Sequence, residues 1–225
     1  MDQLKAAAAE SAAALVKDGM IVGLGSGTTA ALAVRAIGRR VREGLKITGI
    51  PTSEDTTTLA RELGIPLTDL DASTQIEMTI DGADEVEQKT LNLIKGHGGA
   101  LLREKIVANV TKKLVIVVDE SKIVDRLAAK FPVPVEVVQF GWQATERQLT
   151  DLGAKPKLRQ GTDGKPFISD GGHYILDCAF PPTVDAQALA KELDHIVGLV
   201  EHGLFIGFAK EVHVASASGV RIMAV

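Results

Sequence analysis

The chain is short of several residue types, and each shortage removes a class of function. It has one cysteine, Cys178, in 225 residues, which excludes an internal disulfide and any metal site built from several thiolates. Flanked by Ile175, Leu176 and Ala179, that cysteine reads as a buried strand residue. Aromatic residues are scarce, with one Trp, one Tyr and six Phe, and the net charge of −4 is spread without long basic runs. The sequence therefore offers neither an electrostatic footprint nor a stacking platform for nucleic acid. No apolar run approaches the ~18 residues that a membrane span needs. The first dozen residues lack a basic start followed by an apolar stretch, so no signal peptide is expected, and the expected compartment is the cytoplasm.

What is present fits a folded chain with one substantial core. Apolar residues make up 45% and charged residues 24%, enough for one large or two modest domains. Helix and strand signals alternate along the first part, as parallel βα units require. Leu4 to Lys17 is an alanine-rich helix stopped by Asp18-Gly19. Met20 to Leu24 is a short buried strand running into Gly23-Leu24-Gly25-Ser26-Gly27-Thr28-Thr29, with a helical pattern from Ala30 to Val41. Further strands are expected at Lys46 to Ile50, Met78 to Ile80 and Leu114 to Val118, and helices at Asp55 to Leu63 and Ala100 to Val110. The pattern predicts an α/β fold with an open, mostly parallel Rossmann-like sheet and helices on both faces. In such sheets ligands sit beyond the carboxyl ends of the strands, where the glycine loop, Asp81 and Asp119 fall.

Phe131-Pro132-Val133-Pro134 breaks the alternation, because each proline removes a ladder donor and biases its predecessor away from helix. A boundary is expected there, with residues 1–131 and 208–225 forming the larger domain and 132–207 a small α+β, ferredoxin-like domain. Within the latter, strands are expected at Val135 to Val138, near Lys157, near Phe167, at Tyr174 to Cys178 and at Val197 to Phe205. Helices are expected at Gln143 to Leu152 and Asp185 to Leu193. The last residues from Glu211 return to the first domain.

Three clusters carry chemistry between Asp81 and Lys105. The glycine loop before them lets backbone approach a ligand, and the following helix N-terminus favours an anion. Its spacing is not the dinucleotide fingerprint, and no Gly-Lys-Ser/Thr follows to bind a nucleoside triphosphate. Ser26, Thr28 and Thr29 suit a small phosphomonoester; the alternative is a glycine turn with a threonine cap. Asp81-Gly82-Ala83-Asp84-Glu85 places two carboxylates where they can accept from sugar hydroxyls, hold a metal with Glu85, or simply cap a turn. Lys95-Gly96-His97-Gly98-Gly99 combines an ammonium with accessible amides, an oxyanion site or else a surface lysine before a loop. Arg103-Glu104-Lys105 is either a solvated helical face or the site of a general base at Glu104.

With these residues in view, the chain closely resembles the type A ribose-5-phosphate isomerases. The resemblance includes Gly23 to Thr29, Asp81 to Glu85, Lys95 to Lys105, Asp119-Glu120-Ser121-Lys122, Phe131 to Val138 and Val200-Glu201-His202-Gly203-Leu204-Phe205. It implies an aldose-ketose isomerase of the non-oxidative pentose phosphate pathway, working on ribose 5-phosphate and ribulose 5-phosphate without metal or organic cofactor. It implies Glu104 as the base, Lys95 and the Gly96 to Gly99 amides as stabilisers of the enediolate oxygen, and Asp81 and Asp84 as hydroxyl-binding groups that assist ring opening. Ser26, Gly27, Thr28, Thr29 and Lys122 match phosphate-binding positions, joined by Lys5. Gly82, Ala83, Gly96 and Gly98 also line the substrate in this pattern, and His97 flanks the sugar as a loop residue. The family further implies a homodimer, with tetramers as the variant. Two other functions compete: an amino-sugar phosphate isomerase or coenzyme A transferase on the same kind of sheet, and a non-catalytic sugar-phosphate sensor, which would need an output domain.

Overall fold

A computed structural model describes residues 2–70, 75–181 and 185–224. In chain order the described residues form α1 (Asp2–Ala13), β1 (Ile21–Leu24), α2 (Thr28–Arg42), β2 (Thr48–Pro51), α3 (Glu54–Glu62), β3 (Ile76–Asp81), β4 (Glu85–Glu87), β5 (Leu93–Ile94), α4 (Leu101–Asn109) and β6 (Thr111–Asp119). A 3-10 turn (Glu120–Lys122) follows. Then come β7 (Ile123–Val124), β8 (Val133–Val137), α5 (Trp142–Asp151), β9 (Lys155–Leu158), β10 (Tyr174–Ala179), α6 (Ala186–Leu193), β11 (Leu199–His202), β12 (Leu204–Phe205), β13 (Ala209–Ser216) and β14 (Gly219–Ala224). No helix among the described residues is long and apolar enough to cross a membrane. Contacts group the chain into two compact units: Met1–Ala83 with Arg103–Ile123 and Gly207–Val225, and Asp84–Leu102 with Val124–Ile206. Residues 84–102, which the sequence pattern leaves with the larger domain, thus make most of their contacts in the second unit.

The first unit is built on a six-stranded sheet of order β14-β13-β6-β3-β1-β2. Every pairing is parallel except β13 with β14, so β2, β1, β3, β6 and β13 send their carboxyl ends to one edge. β1, β3 and β6 are buried along most of their length, as parallel strands flanked by helices must be. Val22 and Leu24 pack with Ala8, Ala12 and Val16 of the α1 region and with Ala33 and Ile37 of α2. Ile21, one residue out of phase and so on the opposite face, packs with Ile50, Ile76 and Val107 of α4. The chain's last strands do return to this sheet, through β13 and β14.

The second unit runs β8-α5-β9-β10-α6-β11, with an antiparallel sheet of order β11-β8-β10-β9. That is the ferredoxin-like arrangement. Alternation along β8 puts Val133, Val135 and Val137 into one core with Leu149 of α5 and Leu189 and Leu193 of α6. A second small sheet has the order β12-β5-β4-β7, and its strands β4, β5 and β12 belong to the same unit.

Three expected elements differ. The first helix ends at Ala13, and the chain reaches Val16 through turns. No strand forms at Phe167; the segment turns through Gly161 to Gly164 and makes one isolated bridge, Gln160 to Pro166, because the Thr-Asp-Gly turn and Pro166 interrupt any ladder. The expected strand Val197 to Phe205 splits into β11 and β12, which join different sheets. Gly203 is the joint: its N–H donates to Pro134 O at 2.7 Å and its carbonyl accepts from Lys95 N–H at 2.9 Å. A Cβ there would lie 2.2 Å from Lys95 O.

Candidate active site

In the first unit the expected phosphate loop leaves the end of β1. Gly25 N–H donates to Ile80 O at 2.9 Å, keeping the loop against the end of β3. Asp81, the last residue of β3 and 1% exposed, accepts at Oδ1 from Ser26 N–H at 3.1 Å and from Gly82 N–H at 2.7 Å. This approach requires glycine at 25, since a Cβ would lie 2.3 Å from that carboxylate oxygen. Asp81 therefore organises two segments at once, beyond the hydroxyl-binding duty expected from its residue type. α2 begins at Thr28, with Gly27 as N-cap at φ 88° and no side-chain cap. Gly27 and Thr28 are exposed and Thr29 half-buried, so the helix start faces outward as an anion site requires. The reading of a threonine cap is not what the structure holds.

Glu104 occupies the first turn of α4. Its side chain is 5% exposed, whereas Arg103 reaches outward to Glu54 Oε1 at 2.7 Å. The triplet is therefore not a solvated charged face. A buried carboxylate is costly to desolvate, and the helix N-terminus offsets part of that cost. Lys122 closes the 3-10 turn after β6, half-buried. Asp119 caps this turn by accepting from Ser121 N–H at 3.0 Å. Lys5 lies half-buried on α1. A cavity of about 680 Å³, lined in part by Glu54, Arg61, Asp69 and Arg103, contains none of the site residues expected from the sequence.

In the second unit Lys95 follows β5 and is 3% exposed, so it is no surface lysine. Its ammonium stands 5.6 Å from the Phe205 ring centroid, a cation–π distance. Asp84 is half-buried, and its Oδ2 accepts from His97 N–H at 3.0 Å. Gly99 N–H donates to Gly96 O at 3.0 Å. The His97 amide is thus spent on Asp84 and the Gly99 amide inside the loop, which narrows the expected oxyanion donors to Lys95 and the Gly96 and Gly98 N–H groups. His97 meets Pro132 O at 3.3 Å and packs edge-on against Phe131 with centroids 4.9 Å apart, the contacts of a loop anchor. Glu85, fully buried, accepts from Lys130 N–H at 2.6 Å and Phe131 N–H at 2.8 Å. It is committed to backbone and not held ready as a metal ligand.

Sequence reasoning missed Arg159. Its Nη1 donates to Gly96 O at 2.9 Å and to His97 O at 3.1 Å, and Asp177 holds the guanidinium through Nε at 3.0 Å and through Nη2. No local motif marks it, because the partners lie about sixty positions away. Cys178 is fully buried on β10, and burial, then the charges of Asp177 and Glu146, push its thiol up.

The family model described as Ribose 5-phosphate isomerase A (phosphoriboisomerase A) matches residues 48–219. Ribose-5-phosphate isomerase A of Thermomicrobium roseum is 51% identical over 222 residues, covering 99% of this chain and 94% of the relative. The solved ribose 5-phosphate isomerase A of Methanocaldococcus jannaschii superposes with a TM-score of 0.95 at 43% identity, covering 99% of both chains. A D-ribose-5-phosphate isomerase solved in complex with phospho-erythronic acid gives 0.95 at 38% identity, covering 99% of this chain and 98% of its own. The parallel sheet with a glycine loop at its edge and the matching relatives over nearly the whole length agree: the chain belongs to the ribose 5-phosphate isomerase A family.

Proposed function

We propose that the chain interconverts D-ribose 5-phosphate and D-ribulose 5-phosphate in the non-oxidative branch of the pentose phosphate pathway, with Glu104 as general base and without metal or cofactor. Glu104 takes the proton from C2 of the open-chain sugar and returns it to C1, so that an enediolate lies between. A proton alpha to a carbonyl is weakly acidic, and a carboxylate removes it only where fixed donors meet the developing oxyanion. Lys95 with the Gly96 and Gly98 amides are those donors. Asp81 and Asp84 bind hydroxyls and assist ring opening while holding the two loops by the bonds described. The Ser26 to Thr29 loop, Lys122 and Lys5 take the phosphate. The enzyme works in the cytoplasm as a homodimer.

The observation that carries this reading is the burial of Glu104 within a chain of this family: a charged side chain in the middle of Arg103-Glu104-Lys105 is withdrawn from water where such a triplet ordinarily forms a solvated face. Binding of phospho-erythronic acid by a relative supports a phosphorylated open-chain ligand. The test is turnover of ribose 5-phosphate by purified protein in excess chelator. Robust conversion is expected. Failure of folded protein to turn over, or dependence on added metal, would contradict the proposal.

A further inference from the structure

The segment after β2 carries three buried hydroxyls that no sequence motif marked: Thr52, Ser53 and Thr56. All three meet Ser26, whose Oγ lies 2.7 Å from Thr52 Oγ1, 2.7 Å from Ser53 Oγ and 3.1 Å from Thr56 Oγ1. Donor roles follow by elimination, because each hydroxyl has one hydrogen. Carbonyl oxygens only accept, so Thr56 donates to Gly25 O at 3.1 Å, while Thr52 Oγ1 faces both Leu24 O at 3.1 Å and Ser26 Oγ at 2.7 Å. With the Thr56 hydrogen spent, Ser53 donates in its 3.0 Å bond to Thr56 Oγ1. With the Ser53 hydrogen spent, Ser26 donates in its 2.7 Å bond to Ser53 Oγ, so Thr52 is the donor to Ser26 and shares its one hydrogen with Leu24 O. The Ser26 N–H is occupied as well, by Asp81.

Two consequences bear on anion binding. Ser26 has no hydrogen left to give a phosphate, so the donors of the loop are its neighbours Gly27, Thr28 and Thr29. The carbonyl oxygens of Leu24 and Gly25, which would repel an anion, are drawn onto Thr52 and Thr56. We infer that Thr52, Ser53 and Thr56 are positioning residues of the phosphate site, acting through Ser26 and the two carbonyls to fix the loop with its donors outward. This rests on the reading of residues 26–29 as the phosphate loop. Ser53 serves twice, since its Oγ also accepts from Thr56 N–H at 3.1 Å as the cap of α3.

The experiment compares Thr52→Val, Thr52→Ser, Thr56→Val and Thr56→Ser with the parent in steady-state kinetics, competitive inhibition by inorganic phosphate, and thermal unfolding. The valine variants are expected to raise KM and the phosphate inhibition constant together, by roughly 5- to 30-fold for the loss of one or two hydrogen bonds. Their kcat should stay within about threefold, and the serine variants should behave as the parent. The inference is overturned if valine leaves phosphate inhibition within twofold of the parent. It is equally overturned if serine fails to rescue, or if unfolding temperature falls with KM unmoved. Thr28→Val and Lys122→Ala separate the two levels: if these leave phosphate inhibition unchanged while the parent turns over, the loop reading itself is wrong and takes the inference with it.

Discussion

The two units place their candidate site residues by different means. In the first, parallel pairing brings the carboxyl ends of β2, β1, β3 and β6 to one edge; Asp81 is the last residue of β3, and Thr52, Ser26 and the Lys122 turn follow the ends of β2, β1 and β6. Topology brings them to one edge, and hydrogen bonds such as those of Ser26 with Asp81 and Thr52 then fix them. In the second, an antiparallel sheet sends neighbouring strand ends in opposite directions and has no such edge. Its proposed oxyanion loop hangs instead from the two-residue strand β5 and is fixed by side chains: Asp84 on the His97 amide, Arg159 on two carbonyls. Strand ends gather the proposed phosphate loop before hydrogen bonds fix it, whereas the proposed oxyanion loop depends on contacts for both, so the two should respond differently to substitution.

The largest effect on the second unit should come from Lys95→Met, which keeps an unbranched chain in the buried slot and removes the charge. Loss of one oxyanion donor predicts a kcat fall of about 10²- to 10³-fold, with inorganic phosphate inhibition unchanged; a parallel loss of phosphate binding would show that the two loops are not separable in this way. Arg159→Lys should cost less. Lysine keeps the charge and loses the fork that grips Asp177 and the loop carbonyls, so kcat is expected to drop roughly 10- to 100-fold, and unaltered turnover would reduce Arg159 to packing.

In the first unit, Glu211 gives a smaller, pH-dependent effect. Burial pushes its carboxyl up, but hydrogen bonds and charge from Lys113, at 2.7 Å, and from His213 outweigh this and hold it below the usual carboxylate value. Unfolded glutamate titrates near ~4.3. The stabilisation is therefore fully present above that pH and is lost as pH falls through the lowered folded value. The gap in unfolding temperature between parent and Glu211→Gln should be widest near neutrality and close in acid; a gap constant with pH would remove Glu211 as its source. Smallest of all is Cys178, which should resist thiol reagents in the native protein and react fully in denaturant; rapid native labelling would mean that β10 opens.

Most of the first unit was legible in the sequence because the signals there are local. Alanine-rich helices, short apolar strands and glycine turns each announce themselves within a few residues, and Ser26, Asp81 and Glu104 lie within such patterns. The strands β4, β5 and β7, two or three residues each, are too short to show a period. The placement of residues 84–102 with the second unit depends on pairings such as Leu93 with Phe205, more than a hundred positions apart, which no window of sequence contains. Arg159 and the Thr52-Ser53-Thr56 cluster were missed for the same reason: an arginine or a threonine is ordinary until its partner is known.

The most direct measurement is proton exchange at C2 of the substrate in deuterated water, with chelator present, for the parent and for Glu104→Gln. The glutamine keeps the shape of the side chain and cannot take a proton. With Glu104 as the base, deuterium enters the sugar during parental turnover, and the variant loses exchange and turnover together by about 10²- to 10⁴-fold, with phosphate inhibition intact. A variant that exchanges and turns over within a few-fold of the parent would contradict that role.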